Sequence, residues 1–138
     1  MSCHDIGRGV DTIMAKVLEM YDDGKISQEA ALEMVAVFPK AVHWCDGNEY
    51  EAQDTLTNTH CAACLHKYED GERFVCYDDV DIRSEDFADG KRNTWDGWES
   101  IMEKNGYNGR SVCQACFKKY FSEAISEEGM KHIFDSIR

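Results

Sequence analysis

Two Cys-x-x-Cys pairs, Cys61/Cys64 and Cys113/Cys116, carry the clearest chemistry in the sequence. Two residues between cysteines let both sulfurs turn toward one ion, with nearby backbone amides available to stabilise the thiolates. Two such pairs supply the four soft donors that tetrahedral structural zinc prefers. The expectation is one structural zinc ion on Cys61, Cys64, Cys113 and Cys116. Four sulfurs close the coordination shell, whereas catalytic zinc keeps an open position. A redox Cys-x-x-Cys would follow a strand in a βαβ unit, and neither pair has that setting. His60 and His66 flank the first pair and read as exposed loop histidines rather than as replacement ligands.

Cys3, His4, His43 and Cys45 form a looser set. If the N-terminus folds back, they would make a second zinc site or a thiol–imidazole pair for nucleophilic chemistry. Their spacing follows no recurrent ligand pattern. The plainer account makes Cys45 and Cys76 small buried apolar residues and His43 a satisfied loop histidine. No catalytic residue is assigned.

The elements that must position these cysteines read as helix-rich α+β. Val10, Ile13, Met14, Val17, Leu18 and Tyr21 recur at helical spacing, leaving Asp11, Lys16, Glu19 and Asp22 outside. Gly24 suits a left-handed cap and Ser27 suits the start of a second helix carrying Ala31, Met34, Val35 and Phe38. These make an N-terminal helical hairpin, followed by a helix over roughly residues 48–56. A candidate β-hairpin pairs Lys67-Tyr68 with Arg73–Tyr77 around Asp70-Gly71. The acidic stretch from Asp78 to Asp89 reads as a solvated loop. Trp95, Trp98, Ile101 and Met102 share one face of a helix ending near Asn105-Gly106. Phe117, Tyr120, Phe121, Ala124 and Ile125 mark a helix that begins at the second cysteine pair. Met130, Ile133, Phe134 and Ile137 mark the last. Residues 1–57 are the helical region and residues 58–138 the zinc-binding region.

This order of Cys pair, hairpin, then a helix beginning at the second Cys pair resembles the treble-clef class of zinc fingers. The resemblance covers roughly residues 58–126 and rests on Cys61, Cys64, Cys113 and Cys116. It implies an insertion between Cys64 and Cys113, made of the acidic loop and the tryptophan helix. Treble clefs serve many functions, so the resemblance assigns none. Cys3–Gly9 and Trp44–Asn48 also resemble segments of short bacterial or phage proteins, again without a function attached.

The chain has 138 residues, seven cysteines and a formal net charge of −12. An odd cysteine number excludes complete disulfide pairing within one chain, and ligand-like spacing in a reducing compartment favours metal. The N-terminal residues lack the basic start and apolar run of a secretory signal, so the expected location is the cytoplasm. No run is long and apolar enough for a membrane span. Both halves are acidic, which argues against direct contact with nucleic acid. The expected function is a non-enzymatic, zinc-stabilised protein-interaction or regulatory module with an acidic surface and a protein partner; the acidity reads first as a solubility feature, and the sharper reading is a surface that docks on a basic partner. Two alternatives stand beside it. One is a phage-type inhibitor whose carboxylates imitate phosphates in the basic groove of a nucleic-acid enzyme. The other is a small thiol enzyme using Cys45 with His43 or His4. Trp95, Trp98 and the Met-bearing helix faces are available for a self-association surface.

Overall fold

Helix α1 (Cys3–Asp22) is amphipathic and buries Met14, Val17 and Leu18. We built a computed structural model that describes residues 3–38, 51–77, 84–90 and 94–137. The side chains of Cys3, His4 and Trp95, together with His43, Trp44, Cys45, Pro39 and the acidic run from Asp78 to Arg83, lie outside the described set.

α1 ends where Gly24 adopts φ 75°, and Lys25 N donates to Met20 O at 2.8 Å. The left-handed residue satisfies carbonyls that the helix end would otherwise leave open. Ser27 then caps α2 (Gln28–Val37), accepting from the Ala30 amide at 3.1 Å. The helical hairpin is thus present, with one difference in its apolar face. Ile13 is 53% exposed and Met34 38% exposed, while Ala31 and Val35 take the buried positions.

Of the helix expected over roughly residues 48–56, residues 48–50 lie outside the described set; Glu51 is helical, and α3 (Asp54–Thr59) follows after a turn. Its register is set from outside: Asp11 of α1 accepts from Thr55 N at 2.8 Å and from Thr55 Oγ1 at 2.7 Å. A carboxylate at a helix start satisfies a free amide and complements the positive end of the dipole.

The sheet also differs from expectation. Strand β1 (Phe74–Cys76) pairs antiparallel with β2 (Ser111–Cys113), aligning Phe74 with Cys113 and Cys76 with Ser111. Its ladder partner is therefore not Lys67-Tyr68. The turn at Asp70-Gly71 exists, with Gly71 at φ 79°, but it brings Tyr68 and Phe74 into a ring stack at 4.0 Å instead of a ladder. Lys67 bridges back to His60.

Between the strands lie a short 3-10 turn (Ser84–Asp86) and α4 (Thr94–Lys104). Part of the acidic stretch is not solvated: Asp86 and Phe87 are buried. Ser126 N donates to Asp86 O at 2.9 Å, and Phe87 bridges Ile125. Helix α4 buries Trp98, Ile101 and Met102, and Trp98 Nε1 donates to Gly109 O at 2.9 Å. A tryptophan 1% exposed offers nothing to a second copy, which removes Trp98 from the expected self-association surface.

Helix α5 (Gln114–Phe121) follows β2 directly, and α6 (Glu127–Ser136) is capped by Ser126. Trp98 packs on Phe121 at 4.8 Å and Phe117 on Phe121 at 4.6 Å. One hydrophobic cluster runs from Met14 and Val35 through Leu56 and Leu65 to Phe117, Ile133 and Ile137. Six helices and one two-stranded sheet are seen among the described residues, none of the helices long and apolar enough to cross a membrane.

Candidate metal centre

The loop from Cys61 to Leu65 is built around a sulfur. Ala63 N and Cys64 N both point at Cys61 Sγ, at 3.4 and 3.5 Å, and Leu65 N closes the turn on Cys61 O at 2.8 Å. Such a turn needs a left-handed residue after the second cysteine, and Leu65 supplies it at φ 60°. For a side chain bearing Cβ this costs about 1–2 kcal/mol. Leu65 is 1% exposed, and burying a leucine returns about 1.5–3 kcal/mol.

Strand β2 brings the second pair to this loop. Ala62 N donates to Ser111 O at 3.0 Å. A Cβ on Gly109 would stand 2.2 Å from the Ala62 Cβ, so glycine is required for the close approach. Cys113 is both the last residue of β2 and the N-cap of α5, in extended conformation, and Cys116 lies in the first helical turn. The positive end of the helix faces the sulfurs and favours their thiolate form.

The four sulfurs of Cys61, Cys64, Cys113 and Cys116 all lie within 4.8 Å of one another, and none is in a disulfide. A tetrahedral ion with metal–sulfur bonds of ~2.3 Å sets sulfur–sulfur edges of ~3.8 Å. The Cys64 Sγ to Cys113 Sγ separation is 3.9 Å. All four expected ligands are thus brought together, positioned to hold a metal ion.

Without an ion, four sulfurs in one place resist ionising together. Interaction with the neighbouring Cys116 thiol, with the backbone amides of Cys113, Cys64 and Ala63 adding to it, holds Cys61 at about 5 against the opposing effect of burial. The charge placed on Cys61 has a cost for its neighbours. Burial, then the Cys61 charge, pushes Cys64 up to about 11; the interaction with Cys61, then burial, pushes Cys116 up. A bound dication reverses this, since every ligand sulfur is then held as thiolate.

The flanking histidines stand apart from the sulfur cluster. His66, half-exposed, meets Glu72 at 2.7 Å, and this contact holds the Glu72 carboxyl below its ordinary range. His60 differs from the expected exposed loop residue: it is 3% exposed. Its Nε2 lies 2.9 Å from Asp22 and its Nδ1 2.7 Å from Thr59 Oγ1. Ser111 Oγ, also buried, donates to Thr57 O at 2.7 Å and meets Tyr68 Oη at 3.1 Å.

Sequence reasoning missed this polar frame. A signal was present, because Asp11 and Asp22 are about three helical turns apart and so share one face. The second set, Cys3, His4, His43 and Cys45, falls outside the described residues and side chains. No known protein family matches the chain, and no curated protein or solved structure is significantly similar to it.

Proposed function

We propose that the four cysteines bind one structural zinc ion and that the chain is a non-enzymatic interaction module with an acidic surface. The observation that carries the zinc reading is the approach of four unbridged sulfurs to within 4.8 Å. Soft donors in a four-sulfur set select zinc over magnesium or calcium, which take oxygen ligands. Cys-x-x-Cys loop, two antiparallel strands and helix follow one another in the order of a treble clef, with α4 inserted between the strands. Four protein ligands fill the tetrahedron, so the ion stabilises the fold and activates no water.

The interaction reading is supported by a groove of 580 Å³ between α2 and the turn after α4. Leu32, Ala36, Val37 and Tyr107 give it an apolar floor, and Glu29 and Glu33 give it an acidic rim; among the described residues no Lys or Arg lines it. Val37 is 59% exposed there. An apolar floor with carboxylates beside it suits a basic amphipathic segment of a partner protein.

The deciding experiment for the metal is mass-spectrometric metal content of untagged protein purified without chelator. About one zinc per chain is expected; metal-free protein with four free thiols at these positions would refute the reading. For the groove, the probe is a labelled helical peptide of alternating leucine and lysine faces. Binding that weakens with salt and is lost in Val37→Glu is expected. Equal binding by Val37→Glu would reject the groove as the partner face.

A further inference from the structure

The four sulfurs are not equivalent, and they sort across the two motifs rather than within them. Cys61 and Cys116 form an inner pair: both are buried, with their sulfurs within 4.8 Å of each other. Cys64 and Cys113 form an outer pair, both partly exposed, with sulfurs 3.9 Å apart. Backbone amides at 3.4 and 3.5 Å further occupy Cys61 Sγ.

We propose that the outer pair is an oxidative modification site, at which a peroxide converts Cys64 and Cys113 into a disulfide. The proposal rests on the zinc reading for its consequence, metal release, and on the sulfur geometry for the choice of pair. When all four ligands are thiolates their intrinsic reactivity is similar, and access decides which is attacked. Each of the four sulfurs has neighbours within 4.8 Å, and of the four cysteines Cys64 and Cys113 are the two that are partly exposed. One of them attacks the peroxide, forming an S–O bond as the O–O bond breaks and hydroxide leaves. The other attacks that sulfur, forming the S–S bond and expelling a second hydroxide. Two electrons pass from the sulfur pair to the peroxide, and two protons from solvent turn the hydroxides into water. The sulfurs close from 3.9 Å to ~2.05 Å by rotating toward each other.

The metal thereby loses two of its four donors. The new bond joins the Cys61–Leu65 loop to the start of α5, the same two segments that the ion would hold. Oxidation therefore exchanges one staple for another: the ion leaves while the junction stays closed, and a dithiol reductant reopens the site.

The test uses the full chain loaded with zinc, its metal content measured first, then treated with near-equimolar hydrogen peroxide. Remaining thiols are alkylated, disulfides are mapped by peptide mass spectrometry, and released zinc is followed with a chromogenic chelator. A Cys64–Cys113 link is expected, with about one zinc released per link, and dithiothreitol plus zinc should restore the starting state. Cys76→Ser should give the same link, because that buried residue lies outside the pair. A link inside either Cys-x-x-Cys pair, a Cys3–Cys45 link, or sulfinic acid without a cross-link would overturn the proposal. Absence of zinc in the starting protein would refute the metal reading alone, since mapping the same sample still decides which sulfurs join.

Discussion

His60 directs Nε2 to the Asp22 carboxylate at 2.9 Å, tying the last turn of α1 to the residue that precedes the first metal-site cysteine. The imidazole is nearly fully buried, whereas the Asp22 side chain is 26% exposed. Asp22→Ala leaves that ring nitrogen without its partner. A loss of about 1–3 kcal/mol is expected, the cost of an unsatisfied buried polar group. Urea unfolding of the variant measures it, and a midpoint equal to that of the parent would show that the contact contributes nothing.

Metal uptake should release protons. Cys64 is held up at about 11 and Cys116 is also raised, so both carry protons at neutral pH in the metal-free fold, whereas Cys61, lowered to about 5, does not. Zinc must displace the protons on Cys64 and Cys116, and protons compete with it as pH falls. The sign is therefore fixed: affinity rises from pH 6 to pH 8 and falls on acidification. Chelator competition across that range, with proton release read by calorimetry in two buffers, checks it. A pH-independent affinity would contradict the four-thiolate site.

Cys113→Ser removes one sulfur donor while leaving a favoured N-cap residue at the start of α5, where Cys113 itself makes no side-chain cap bond. If free zinc stands a thousandfold above its dissociation constant, roughly 4 kcal/mol of metal-linked stability is at stake. The variant should lose zinc and melt lower, and adding chelator should no longer change its melting temperature. Cys76→Ser is the matched control: it lies on β1 outside the sulfur cluster and should retain full metal content.

Two glycines in helices should respond in opposite senses to alanine. A Cβ at Gly97 would stand 2.3 Å from the Phe87 ring, so Gly97→Ala must displace a buried aromatic and is expected to cost about 1–3 kcal/mol. Nothing lies within 4 Å of a Cβ at Gly9, inside α1. Gly9→Ala should stabilise by about 0.5–1 kcal/mol, through the lower entropy of the unfolded chain and better helix propensity. Thermal denaturation of both variants side by side reads the difference in sign.

Local rules carried much of the fold because they act within a few residues. Gly24 and Ser27 punctuate the first hairpin as their chemistry requires, and Gly106 at φ 82° ends α4 beside Asn105. The four cysteines that cluster were legible for the same reason, since each Cys-x-x-Cys pair is a local device. The strand pairing was not. Lys67-Tyr68 and Arg73–Tyr77 satisfy the hairpin pattern, yet Phe74–Cys76 found Ser111–Cys113 from beyond α4. A strand pattern states that backbone groups need partners and leaves open which chain segment provides them.

What the sequence alone determined is thus the donor chemistry, the helix faces and the turns, all of them consequences of residue type and short spacing. Tertiary structure decided where buried polar groups spend their hydrogen bonds. Asp11 and Asp22 read as solvent-facing on α1, and became the two ties to Thr55 and His60. Asp86 read as part of a solvated acidic loop, and is buried beneath the start of α6 with its carbonyl accepting from Ser126. The division of the four sulfurs into an inner and an outer pair is of the same kind. Cysteines in identical motifs differ only in what packs over them, and packing is a property of segments distant in the chain.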